Sequence, residues 1–207
     1  MKKKLTIVLG AFAMGGAQHM VYELSKNIAA DSFDVSILCY MRKANTLLEK
    51  EIESNFPVTY LNQNGRITLS AIWRVVRALQ KNKPDIVHAH LGGVVFGAVW
   101  SILFRKPLVI TVHTQPEKAF NSKIEQLVRI ALRGNRTKIV AVSAENETLV
   151  RNYYGVSQDK CSYVNNGIDV DRFYCKEHGG FTLINVARQD DNKNQAALLR
   201  CFARFHH

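Results

Sequence analysis

Short apolar, β-branched runs alternate with amphipathic stretches along the whole chain, and that alternation constrains the fold more than any other feature. Residues 5–9, 35–40, 58–61, 86–89, 108–112, 139–142 and 163–164 read as strands. Residues 17–30, 46–54, 68–83, 93–103 and 122–133 read as helices, and Ser143 reads as the cap of a further one. Met20, Leu24 and Ile28 recur on one helical face, as do Ile72, Val75, Val76 and Leu79 before Pro84 breaks the pattern. The stretch 93–103 is apolar almost throughout, as a buried helix must be. Strands and helices in strict alternation predict an α/β chain with a Rossmann-like, doubly wound parallel sheet covered on both faces.

Turn-rich Asn165-Asn-Gly-Ile-Asp169 interrupts the pattern. The expected organisation is therefore one domain over 1–165, a linker over 166–180, and a second α/β unit over 181–207. Of that unit only a strand at 181–188 and a helix at 192–205 are expected, so it reads as truncated.

In doubly wound sheets ligands bind beyond the carboxyl ends of the strands, where the strand order reverses. Residues directly after strands are thus the candidates. Gly10-Ala-Phe-Ala-Met-Gly15-Gly16 follows the first strand, and its glycines let a backbone and a helix N-terminus approach a phosphate. It is not G-x-G-x-x-G, and the second strand closes on Tyr40-Met-Arg42 without the acidic residue that a nicotinamide dinucleotide's ribose requires. No G-K-[ST] is present, which argues against a P-loop ATPase. Of the histidines in His88-Ala-His90 and His113-Thr-Gln-Pro116, His88 is expected to point back into the domain. His113 ends the run Leu-Val-Ile-Thr-Val and is expected at the ligand edge, near the glycine loop and facing a cleft. Arg188 and Lys193 place two cations around a strand-to-helix loop, a pairing able to clamp a diphosphate.

The formal net charge is +11, spread over helices in Arg74, Arg77, Lys81 and Lys83 and again in Lys123, Arg129, Arg133, Arg136 and Lys138. The longest polybasic run is Lys2-Lys3-Lys4, and arginines do not interleave with aromatics, so no nucleic-acid partner is expected. A phosphorylated substrate or an anionic membrane surface fits better. Cys39, Cys161, Cys175 and Cys201 form no C-x-x-C pair, and buried thiols in a reducing, cytoplasmic setting are expected. Lys2–Lys4 before an apolar stretch and Gly15-Gly16-Ala17 imitate a signal peptide, but cleavage there would remove the first strand. No stretch reaches transmembrane length.

Several of these segments, in this order, carry a resemblance: Gly15-Gly16-Ala17-Gln18, Pro84-Asp-Ile-Val-His-Ala-His90, Val112-His113, Ile139-Val-Ala-Val-Ser143, Asn166-Gly-Ile-Asp169 through Phe173, and Ala187-Arg188 to Lys193-Asn194-Gln195. Together they resemble the retaining, nucleotide-sugar-dependent glycosyltransferases of the GT-B fold, in the group 1 or family 4 type. The resemblance implies one lobe of a two-lobed enzyme, the acceptor side, with the start of the donor lobe. It implies a nucleoside-diphosphate sugar as donor and a saccharide or lipid-linked acceptor, in polysaccharide or glycolipid synthesis at the inner membrane face. Gly15 and Gly16 would lie against the donor diphosphate and His113 near the transferred sugar. Arg188 and Lys193 would neutralise the leaving diphosphate, with no cofactor and no obligatory metal. Gln18 stands where the family often has an acidic residue, and Ala187 where it often has glycine. The family's E-x7-E element would lie past residue 207. Glu117 and Glu125 share its spacing, in the wrong lobe. A fragment holding one lobe is expected to be inactive alone. The competing reading is a non-catalytic α/β module that binds a phosphorylated ligand or an anionic surface.

Overall fold

The computed structural model describes residues 2–174, 179–180, 182–187, 189 and 191–205. The chain falls into two compact units, Met1–Val170 and Asp171–His207.

The first unit is built on seven strands: β1 (Lys3–Leu9), β2 (Phe33–Met41), β3 (Val58–Gln63), β4 (Ile86–His90), β5 (Leu108–Val112), β6 (Thr137–Ala141) and β7 (Cys161–Tyr163). They form one parallel sheet in the order β3-β2-β1-β4-β5-β6-β7. Chain order reverses at β1, which has β2 on one side and β4 on the other, so a crevice opens between the loops after β1 and β4. All seven expected strands are present. β1 and β2 run slightly longer than expected because their ladder carries on through Lys3↔Phe33 to Leu9↔Cys39.

Seven helices connect them: α1 (Gly16–Asp31), α2 (Leu47–Asn55), α3 (Leu69–Asn82), α4 (Val94–Phe104), α5 (Pro116–Ala119), α6 (Ser122–Arg133) and α7 (Ala144–Tyr154). The single turn of α5 was not expected from the pattern. The two faces of the sheet are legible along single strands. On β1, Leu5, Ile7 and Leu9 join one core cluster with Val21 of α1 and with Leu48 and Ile52 of α2, whereas Val8 joins a second. That second cluster holds Val75 and Leu79 of α3, Phe96 and Trp100 of α4, and Val128 of α6. α4 is buried from Val94 to Ser101 apart from half-buried Val99, whereas its last turn, Ile102 to Phe104, is exposed although the composition called for a helix buried along its length. Gly97 lets it lie close on the sheet, since a Cβ there would come within 2.9 Å of Leu108 and 3.0 Å of Ala89.

In the second unit α8 (Gln195–Phe205) forms within the expected helix. Residues 182–187, expected as a strand, have no regular structure. A strand exists only through a ladder with a neighbour, and these residues have none among those described. Lys193 closes a 3-10 turn, Asp191–Lys193, and does not open the helix as expected. Asn194, in the left-handed region at φ 46°, separates the two. Arg188, Phe181 and Cys175 lie outside the described residues. Cys39 and Cys161 are buried, but Cys201 on α8 is exposed, against expectation, because no residue of α8 is buried.

Candidate functional site

The loop after β1 is held rigidly from below. Phe12 is fully buried, its carbonyl accepts from Thr46 Oγ1 at 2.7 Å, and Gly10 accepts from the Met41 backbone at 2.9 Å. Thr46 also caps α2, accepting from Glu49 N, while both oxygens of buried Glu49 accept backbone N–H groups of Ala44 and Asn45. The T-x-x-E spacing is a capping-box signal that the motif reading overlooked. Gly15 is the N-cap of α1 and offers no side-chain cap, and the first turn carries no acidic residue. The free N–H groups of a sixteen-residue helix, with its positive dipole end, therefore open at the carboxyl edge of β1. A Cβ at Gly16 would meet nothing within 4 Å. This is the arrangement that accepts an anion.

The loop after β4 is pressed onto β1. A Cβ at Gly93 would lie 2.3 Å from the Val8 carbonyl oxygen, and one at Gly92 would lie 2.2 Å from Tyr40 Oη. Leu91, just before them, is held at φ 51°, a conformation that costs a leucine of order 1–2 kcal/mol. The Gly-Gly pair after a strand was a readable sign of close approach that the motif reading did not use.

His113 follows β5 directly, at the same edge as Gly15 and Gly16, with β4 between β1 and β5. Two strand spacings, about 10 Å, separate the ends of β1 and β5. The side chain is half-buried, and its Nε2 lies 3.1 Å from Nδ1 of fully buried His90. His88 is buried as expected, its Nε2 2.8 Å from Thr111 Oγ1, with its ring 4.1 Å from that of His90. Burial pushes all three imidazoles down from their ordinary value. His88 is lowered to about 4, with His113 adding to the effect, and His90 falls well below 6.5 for the same reasons. Burial thus favours the neutral imidazole of His113 over its protonated form. Its backbone is clamped by Asn146, buried in the first turn of α7, whose Nδ2 donates to the carbonyls of Val112 (3.4 Å) and Thr114 (3.2 Å). Ser143 caps α7 as expected, accepting from Asn146 N. A capping box prefers Glu or Gln at this position; Asn146 stands there instead, and its amide has a second task at the carbonyls of Val112 and Thr114.

Gly15, Gly16 and His113 are therefore brought to one edge. Lys193 is exposed and belongs to the second unit, and Arg188 is not described. Glu125 is occupied by Arg129 (2.9 Å) and Tyr153 Oη (2.8 Å), in keeping with its E-x7-E spacing to Glu117 being coincidence. Among the described residues, no group of three or more His, Cys, Asp or Glu could hold a metal ion, and no helix is long and apolar enough to cross a membrane.

With this geometry in hand, comparison with known proteins defines the class. The chain belongs to Glycosyltransferase Family 4, whose pattern it matches over residues 14–172. No curated protein matches it. Among solved structures it is similar to HepE of Anabaena in complex with UDP and glucose, at 18% identity and a TM-score of 0.64, over 82% of this chain and 46% of that one. It is similar to a glycosyltransferase from Rickettsia africae, at 17% identity and a TM-score of 0.61, over 82% and 44%. Acinetobacter baumannii MurG gives 16% identity and a TM-score of 0.56, over 81% and 46%. The fold is that of one lobe of GT-B enzymes, and the chain spans under half the length of the solved structures it matches.

Proposed function

We propose that this chain forms the acceptor-side lobe of a retaining, group 1 type glycosyltransferase that moves a hexosyl unit from a nucleoside-diphosphate sugar to an acceptor hydroxyl. The observation that carries the reading is the uncapped N-terminus of α1 at Gly15 and Gly16, on the same sheet edge as half-buried His113. Backbone N–H groups at Gly15 and Gly16 bind the donor diphosphate without a metal. His113, fixed by His90 and Asn146, offers one ring nitrogen to a hydroxyl of the donor sugar and orients it. Arg188 and Lys193 neutralise the diphosphate as it leaves, Arg with a bidentate fork and Lys as a point charge. HepE, a structural neighbour, has been captured with UDP-glucose, which supports a nucleotide-sugar donor here. The acceptor is a saccharide or lipid-linked saccharide in polysaccharide or glycolipid synthesis, reached at the cytoplasmic membrane face. Because both lobes contribute to the donor site, residues 1–207 alone are expected to bind without turning over.

The test has two arms. Nucleoside-diphosphate sugars are titrated onto the ¹⁵N-labelled chain, and the backbone resonances of Gly15, Gly16 and His113 are followed. The full-length gene product is then assayed for transfer, with the anomeric configuration read by NMR. Saturable shifts at those residues and a product with retained configuration are expected. No shift from any such donor would remove the glycine loop from the site, and an inverted product would overturn retention.

A further inference from the structure

A second site stands apart from the glycine loop, at the far end of the same sheet edge. Arg42 after β2, Arg66 after β3 and Arg74 on α3 line one recess together with Asn62, Gln63 and Thr68. No carboxylate lines it, and among the described residues none of these arginines forms an ion pair. Arg74 commits one guanidinium N–H to the Leu61 carbonyl at 2.9 Å, which aims the group and leaves its other donors available. The recess also opens at the N-terminus of the fourteen-residue α3.

Solvated surface arginines would need nothing more, but the backbone beneath them is built for another purpose. Between Cys39↔Tyr60 and Met41↔Gln63, β2 advances two residues and β3 three, so β3 carries a bulge, with Asn62 in the left-handed region at φ 53°. A bulge re-aims the side chain that follows it. Here Gln63 is buried, only 7% exposed. Its Nε2 donates to the Ala71 carbonyl at 3.2 Å, which fixes the sense of the amide because the flipped form would oppose two oxygens. Its Oε1 has no partner. An orphaned buried acceptor wants a donor, and a bare anion has none.

We propose that this recess binds an acidic saccharide, a sugar carrying a phosphate or carboxylate, whose acid group pairs with Arg42, Arg66 and Arg74 and whose hydroxyl donates to Gln63. Planar guanidinium forks match either acid group. On the transferase reading, on which this step rests, the acidic saccharide is part of the acceptor. β3 lies four strands from β5, about 19 Å at the usual strand spacing, so the acid group sits well away from His113 and the acceptor is an extended one.

The experiment uses the chain as it is. Glucose 6-phosphate, glucuronate, glucose and sulfate are titrated, and the side-chain Nε–H signals of arginine and the amide of Gln63 are read by ¹H–¹⁵N NMR. The two acidic sugars should saturate and move Arg42, Arg66, Arg74 and Gln63, with glucose and sulfate binding at least about fivefold more weakly, for want of charge and of a hydroxyl respectively. Arg42→Gln and Arg66→Gln, which leave no hydrogen bond broken, should each weaken glucose 6-phosphate about tenfold with unchanged melting. Gln63→Met should erase the preference over sulfate. Equal binding of sulfate and glucose 6-phosphate, or binding untouched by both arginine variants, would overturn the site. Displacement of glucose 6-phosphate by phosphatidylglycerol vesicles would assign the recess to a lipid surface and overturn it as well. The readout needs no turnover, so an inactive full-length protein that still binds here counts against the transferase reading alone.

Discussion

Two neighbours hold His113 from different directions. His90 takes its Nε2, and Asn146 takes the carbonyls on either side of its backbone. The His90 ring is fully buried and its Nε2 has no partner. A buried N–H without an acceptor is rarer and costlier than a bare lone pair, so His90 donates from Nδ1 and His113 carries its own proton on Nδ1. In ¹⁵N spectra at pH 7.5, His113 should therefore show a protonated Nδ1 and an unprotonated Nε2; the reverse tautomer would contradict the arrangement. The depressed pKa values also fix a pH dependence. The unfolded chain takes up protons near 6.5, whereas folded His88 waits until about 4 and His90 and His113 are lowered too. The cluster's full contribution is present above 6.5 and is lost as pH falls from 6.5 toward 4, by up to about 1.4 kcal/mol per pH unit for each histidine. Urea midpoints at pH 7.5 and 5 should differ accordingly, and a midpoint constant over that window would count against the buried cluster. Asn146→Asp keeps shape and helix-capping position but replaces two donations by an oxygen facing two carbonyls. It should cost about 2–3 kcal/mol in urea titrations and shift the His113 ring signals. A loss below 0.5 kcal/mol (the usual scale of a neutral surface change) would show that the clamp is idle.

At the scale of elements, two glycines that look alike in the sequence should answer the same substitution with opposite sign. Gly93→Ala drives a Cβ into the Val8 backbone, where nothing can yield, so the start of α4 must leave β1 at a cost of at least about 2 kcal/mol. Gly16→Ala meets open space and adds a better helix former to α1, a gain of up to about 1 kcal/mol, while placing a methyl where a diphosphate would approach. Thermal denaturation distinguishes the two, and a nucleotide-sugar titration should show the more stable Gly16→Ala variant binding worse. Such differences mark the limit of what was legible beforehand. The five inner strands were readable because parallel strands buried on both faces are continuous apolar runs, and α3 because its apolar face repeats at helical spacing. The placement of Gly15, Gly16 and His113 at one sheet edge was readable because the glycine loop and His113 each follow a strand of a parallel sheet. The Asn146 clamp, the Thr46 tether to Phe12 and the His90–His113 pair join residues 34, 34 and 23 positions apart, and no periodicity reports such contacts. Over its described residues, 182–187, the expected strand is absent for the same reason in reverse, since local propensity cannot supply a ladder partner.

At the scale of the molecule, the excess positive charge has a direction. Lys2, Lys3, Lys4, Lys83, Arg105, Lys106 and Arg136 gather at the amino edge of the sheet around a single carboxylate, Asp85, which accepts from Lys4 N at 2.8 Å. Part of this charge answers the negative helix ends that doubly wound folds collect there, for Lys83 and Arg105 are the C-caps of α3 and α4. Each helix end is worth about half an elementary charge, so α3, α4 and α6 absorb roughly 1.5 and, with Asp85, leave about 4.5 of the seven positive charges over. Near an anionic leaflet each remaining Lys or Arg gains about 1 kcal/mol, enough for salt-sensitive adhesion. Strands of five to nine residues put the ligand edge some 17–30 Å from this surface, so with adhesion here a lipid-linked acceptor meets that edge only through a saccharide long enough to span the distance. Sedimentation with phosphatidylglycerol vesicles should thus capture the chain at low salt and release it at high salt. Lys3→Ala, Lys106→Ala and Arg136→Ala combined should weaken capture far more than Arg66→Gln, and bound vesicles should leave glucose 6-phosphate binding intact. Equal capture by neutral vesicles, or capture indifferent to the triple change, would show that the amino edge serves only to balance the helix ends.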